Sequence, residues 1–119
     1  MLRQNIFFKD VILLQPTCPL RSLDDLLNSY SLYKQSFCDS LISVCKVEDM
    51  HPARMYEIKD SFLFSLDQNY SNKNRQDLPD IYHRNGSIYI SKINLITENK
   101  SILGKKIIPF KILFLINYD

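Results

Sequence analysis

Three features of the sequence predict an α/β fold. A continuous apolar run, Asp10 to Gln15, is followed by a capped amphipathic segment from Ser22, and then by a second apolar run, Leu41 to Val47. Strand, helix and strand joined by short links read as a βαβ crossover, which implies a mostly parallel sheet flanked by helices. The 119 residues suffice for one domain, residues 1–119.

Taken in order, Asp10 to Gln15 (DVILLQ) carries no alternation, the pattern of a strand buried on both faces. Pro16 and Pro19 then stop both strand and helix. Ser22 is a good N-cap with Asp25 three residues on, and Asp24 and Asp25 suit the positive end of the helix dipole. Leu23, Leu26, Leu27, Tyr30, Tyr33 and Phe37 recur at helical spacing and predict one apolar face. Asp39 and Ser40 break the helix ahead of the second strand. After His51-Pro52, the apolar stretches on either side of Lys59-Asp60 predict a hairpin within Met55 to Asp67, and Gln68 to Asp77 reads as a long exposed loop or linker. Asn85-Gly86 is a turn signal leading into an alternating strand, Ser87 to Lys92. A short helix at Ile93 to Asn99 and a strand at Lys105 to Phe110 follow.

Composition removes several functions. Fifteen basic and thirteen acidic residues leave a net charge of +2, which gives no electrostatic reason to expect nucleic acid or an anionic membrane as partner. The only glycines are Gly86 and Gly104, so no Gly-rich phosphate-cradling loop is present. Cys18, Cys38 and Cys45 are odd in number, lack C-x-x-C spacing and form no zinc pattern with His51 and His83. They read as reduced thiols, mostly core filler. Lys9 and Asp10 cut short the apolar start Ile6-Phe7-Phe8, and the longest apolar runs are too short for a bilayer, so a soluble cytoplasmic protein is expected.

Ligands of open α/β sheets bind beyond the carboxyl ends of the strands. That rule singles out Gln15 with its Pro-bracketed loop and the segment His51 to Arg54. There the motifs become specific. Leu13 to Arg21 (LLQPTCPLR) resembles the LLQPTSPLR signature of the acylneuraminate cytidylyltransferases, the CMP-sialic acid synthetase family. Asp39 to Cys45 (DSLISVC), His51-Pro52, and Arg75 to Pro79 continued by Asn85 to Ile90 follow in the family's order, so the resemblance covers roughly Asp10 to Phe110.

The resemblance implies a partial Rossmann-like nucleotide-diphosphosugar-transferase fold and a reaction between CTP and a nine-carbon keto-sugar acid of the sialic acid type. CMP is joined to the anomeric hydroxyl, pyrophosphate leaves, and Mg²⁺ assists. It further implies that the amides of Gln15 and Asn85 bind the sugar, that Arg75 approaches its carboxylate, that Arg54 adds a second cation and that Tyr89 lines the pocket. The stretch of about 54–77 corresponds to a dimerisation arm and loop, which implies a homodimer. The family's basic, glycine-containing triphosphate loop (PARGGSK-like) and its metal-binding S-I-D-I-D aspartates have no counterpart in this sequence, so no residue here is assigned to catalysis or to metal. The expectation is the middle of a longer enzyme, with a tail after Phe110 that departs from the family, and a chain that forms no CMP-sugar by itself. Two other readings stand beside this one: a non-catalytic remnant that only associates through its arm, and a synthetase for pseudaminic or legionaminic acid.

Each site residue also has a plainer reading. Gln15 suits a strand end that satisfies backbone groups, Asn85 suits a turn, and Tyr89 reads equally as a strand residue filling the core. Arg54 and Arg75, taken alone, are surface cations. His51 reads as structural, and nothing pairs His83 with a nucleophile.

Overall fold

The computed structural model describes residues 7–18 and 21–112. Pro19 and Leu20 of the first motif, and the expected tail from residue 113 onward, lie outside the described residues. The chain divides into two compact units, residues 46–83 and the remainder.

In the larger unit, β1 (Asp10–Leu13), α1 (Leu23–Gln35), β2 (Ser40–Lys46), β5 (Tyr82–Lys92), α2 (Ile93–Asn99) and β6 (Ile107–Lys111) form an α/β layer pair with a four-stranded sheet ordered β1-β5-β2-β6. The sheet is mixed, not mostly parallel. β1 pairs antiparallel with β5, with Leu13 opposite Tyr89, whereas β2 pairs parallel with β6, with Ile42 opposite Pro109. Lys92 N–H donates to the Asp39 carbonyl and Ile88 N–H to the Ser43 hydroxyl, so residue numbers rise along β2 as they fall along β5. The crossover from β1 through α1 to β2 therefore spans a late strand inserted between them. Insertion also puts β1 at the edge, where Ile12 and Leu13 stay substantially exposed instead of buried on both faces. Pro109 is accommodated because β6 is the opposite edge.

Helix α1 starts where the sequence predicts, with Ser22 Oγ accepting from Asp25 N–H at 3.0 Å. Its inward stripe is Leu26, Ser29 and Tyr33, within about 60° of one another at 100° per residue. Leu23, Leu27 and Tyr30 lie on the flank and remain exposed, and Phe37, past the helix end, is 97% exposed. Ser29 fits inside because its hydroxyl returns to the Leu26 carbonyl at 2.9 Å. Tyr33 joins Cys38, Leu41, Ile88 and Ile90 in the core, with Ile108, Phe110 and Ile112 packed against them. Its hydroxyl donates to Asp10 Oδ1 at 2.7 Å, tying α1 to the start of β1. Burial, reinforced by that bond, raises the Tyr33 phenol far above its ordinary range. Burial also pushes the Cys38 thiol up, which keeps it protonated as core filler.

The 46–83 unit contains the predicted hairpin, β3 (Tyr56–Lys59) and β4 (Phe62–Ser65), paired antiparallel with Lys59 opposite Phe62. Asp60 and Ser61 make its two-residue turn at φ 52° and 70°, the left-handed pair that matches strand twist. The polar stretch 68–77 is part of this unit, not a linker between units. It folds through a Tyr70 to Lys73 turn and a 3₁₀ turn at Arg75–Asp77. Among the described residues no helix is long and apolar enough to cross a membrane.

Candidate functional site

In the sheet unit the Pro-bracketed loop leaves β1 and turns at once. Cys18 N–H donates to the Gln15 carbonyl at 3.1 Å, closing a turn over Pro16 and Thr17. Arg21 secures that loop to the sheet: Nη2 also donates to the Gln15 carbonyl, and Nε donates to the Ser87 carbonyl at 3.0 Å. Cys18 Sγ donates to the Asn85 carbonyl at 3.2 Å. These bonds hold the Gln15 side chain over Gly86, where a Cβ would stand 2.4 Å from Gln15 Oε1.

Asn85 and Gly86 make no hairpin turn. Both lie inside the eleven-residue β5, and Gly86 takes φ 77° there. The left-handed residue is a kink within a strand, a second use of the same dipeptide chemistry. Asn85 Oδ1 accepts from Ser87 N–H at 3.0 Å and from the Ser43 hydroxyl at 2.6 Å. Asn85 Nδ2 is buried and has no hydrogen-bond partner among the described residues. Tyr89 is buried on β5 opposite Leu13, on the other face from Ile88 and Ile90 and outside their core cluster. Gln15 and Asn85 are thus brought together, with Tyr89 four residues along the strand from Asn85.

The 46–83 unit brings Arg54 and Arg75 to one cleft of about 370 Å³, lined also by Lys46, Glu48, Asp49, His51 and Asp80. His51 builds its wall: Nδ1 accepts from Ala53 N–H at 3.0 Å, so Nε2 carries the proton and donates to the Pro79 carbonyl at 2.9 Å. The expected structural role for His51 has this physical form. Arg54 gives Nη1 to the Ser71 carbonyl and Nη2 to the Lys73 carbonyl, folding the polar loop against the 3₁₀ turn Pro52–Arg54. Arg75 Nη2 meets the Glu48 carbonyl at 3.1 Å and Asp49 Oδ1 at 3.3 Å, and its side chain is largely exposed. Lys46 pairs with Asp80 at 3.1 Å, which holds its ammonium above the ordinary lysine range.

Two residues that matter to this geometry carried no assigned role in the sequence. Arg21 closes the first motif but acts through backbone carbonyls. Ser43 looked like one more small residue in a buried strand; the available signal was a run of serines, Ser40, Ser43, Ser87 and Ser91, on strands that are otherwise apolar. Among the described residues no three His, Cys, Asp or Glu side chains gather as a metal site, so none is assigned to the Mg²⁺ that the resemblance implies.

The chain is an α/β protein whose mixed sheet carries a buried amide nitrogen with no partner among the described residues, beside a loop bonded to the sheet. Comparison with known proteins narrows that class. No protein-family model matches the chain. It is 31% identical over 113 residues to CMP-N,N'-diacetyllegionaminic acid synthase of Legionella pneumophila, covering 90% of this chain and 46% of that protein. It is 30% identical over 110 residues to post-translational flagellin modification protein B of Campylobacter coli, covering 88% and 46%. An N-acylneuraminate cytidylyltransferase of Streptococcus agalactiae serotype V is 29% identical over 100 residues, covering 82% of this chain and 24% of that enzyme. The chain is related to the acylneuraminate cytidylyltransferases, and it spans less than half the length of these relatives.

Proposed function

We propose that the chain provides the sugar-acid-binding part of a cytidylyltransferase that joins CMP from CTP to a nine-carbon keto-sugar acid of the sialic acid type, releasing pyrophosphate. The observation that carries this reading is Asn85 Nδ2, a buried amide nitrogen with two N–H groups and no acceptor among the described residues, with the Gln15 amide over the adjacent Gly86. Buried donors are paired in the large majority of cases, and a polyhydroxylated ligand supplies acceptors. In this reading Gln15 and Asn85 orient the sugar oxygens and Tyr89 lines their pocket. Following the resemblance, Arg75 is the proposed partner of a carboxylate and Arg54, committed to loop carbonyls, the proposed second cation. Mg²⁺ would neutralise the triphosphate. The cytoplasm is the proposed location of the reaction.

The hairpin is the proposed dimerisation arm. Ile58, Phe62, Leu63 and Phe64 are exposed on a two-stranded ribbon, an apolar display that a second copy would cover. Titration of N-acetylneuraminic acid into the chain, followed by calorimetry, tests the site. Saturable binding that Asn85→Ala and Arg75→Ala each weaken about tenfold is the expected result. Absence of saturable binding to the folded wild-type chain would overturn the reading.

A further inference from the structure

We infer that Ser43 is a positioning residue that aims the Asn85 amide, so that this point of the site takes only an acceptor oxygen of the ligand. The inference rests on the sugar-site reading above and adds to it the residue that sets donor polarity.

Two backbone groups determine the orientation. Ser87 N–H can only donate, so the Asn85 atom 3.0 Å away is the carbonyl oxygen and not the nitrogen. Ile88 N–H likewise can only donate, and it spends its proton on Ser43 Oγ at 2.8 Å. The Ser43 hydroxyl proton is thereby left for Asn85 Oδ1, at 2.6 Å. Oδ1 accepts two bonds, one from its own strand and one from β2. The amide is planar, so Nδ2 must face away from both donors. It is buried there with no partner among the described residues. A flipped amide would put N–H groups against Ser87 N–H and would leave the Ser43 proton without its acceptor. Ser43 is almost wholly buried, so solvent does not compete for its hydroxyl. The chain from Ile88 N–H through Ser43 to Asn85 thus converts sheet register into the direction of one ligand donor. A hydroxyl, ring or carbonyl oxygen satisfies Nδ2; a ligand N–H at the same place meets another donor.

The test uses the full chain with N-acetylneuraminic acid as probe, melting curves for each variant, and the Asn85 side-chain amide resonances in sugar-free protein. Asn85→Asp keeps an oxygen for both protein donors but puts a buried, unpaired carboxylate oxygen in place of the ligand donor, so it should melt below wild type and, where still folded, lose at least tenfold in affinity. Ser43→Ala should weaken binding about tenfold and shift the Asn85 amide resonances, and Ser43→Thr, which keeps the hydroxyl, should restore both. In an Asn85→Ala background Ser43→Ala should cost no further affinity, because its effect runs through Asn85. Unchanged sugar affinity in folded Ser43→Ala, or an equal loss in both backgrounds, would overturn the inference. Should wild type fail to bind the sugar, the sugar-site reading falls; the amide resonances then decide Ser43 alone, a shift on Ser43→Ala supporting its orienting role and no shift ending it.

Discussion

In the sheet unit Leu41, Ile88 and Ile90 are fully buried, while in the 46–83 unit Ile58, Phe62 and Leu63 are exposed by 65–75%. The residue types and the strand pattern are similar; the environments are opposite. β2 lies between two other strands and carries α1 on one face, so its apolar side chains have a second layer to enter. Among the described residues β3 and β4 pair only with each other. Their turn chemistry and ladder make a hairpin, but two strands form no core by themselves. The small unit relies on polar bonds instead: the His51 cap, the Arg54 bonds to loop carbonyls, and the Val47 N–H to Ile81 carbonyl bond at 2.8 Å near its two ends. Alternation and turn signals therefore determine that strands form, and layer contacts determine what they contribute.

The sharpest way to break the contrast is to cut the buried side. Leu41→Ala should destabilise the sheet unit by about 2–5 kcal/mol, lost transfer energy plus a cavity, measured by urea unfolding. A loss below about 1 kcal/mol would show that this core is not packed as described. In the small unit the comparable blow is polar. His51→Ala strands the buried Ala53 N–H and the Pro79 carbonyl, with an expected cost of about 1–3 kcal/mol. Hydrogen exchange should show the loss first at Ala53 and Arg54 N–H. Phe64→Ser, by contrast, removes an exposed ring and should change monomer stability by no more than about 0.5 kcal/mol. Sedimentation should show weaker self-association, and an unchanged association constant would remove the hairpin from the proposed dimer interface.

The smallest effect is a pH dependence. Backbone N–H groups of Lys106 and then Lys105, with the nearby Lys92 and Lys106 charges, hold the Asp39 carboxyl below its usual range. A lowered folded pKa stabilises the fold above the unfolded value, near pH 4, and that contribution disappears as pH falls through the folded value. Asp39→Asn should thus narrow its stability gap to wild type as pH is lowered from about 5 to 2. A gap independent of pH would place the Asp39 contribution outside its charge.

Much of the local structure was legible. Ser22 capped α1 as its spacing required, the hairpin formed around Lys59-Asp60, and α2 occupied Ile93–Asn99. These outcomes depend on neighbours within a few residues, where propensity and capping act. The sheet was misread where strands meet over long separations. Nothing local in Asp10 to Gln15 says that β5, some eighty residues later, will pair with it, and so a parallel crossover was expected where an antiparallel neighbour intervenes. Asn85-Gly86 shows the same limit: left-handed backbone at Gly86 was legible, but its use as a kink inside a strand depends on Gln15 sitting across it. For the candidate site, the motifs named Gln15 and Asn85, and the structure brings the two together.

By itself the sequence determined the α/β class, the helix cap, the hairpin and the residue types available to bind a ligand, because each follows from local backbone preference and side-chain chemistry. Only the tertiary structure decided the mixed strand order, which face of α1 is covered, and which way the Asn85 amide points. Those depend on Ser43, Ser87 and Ile88 arriving from two strands at one place, and a hydrogen bond acquires its direction only when both partners are in position.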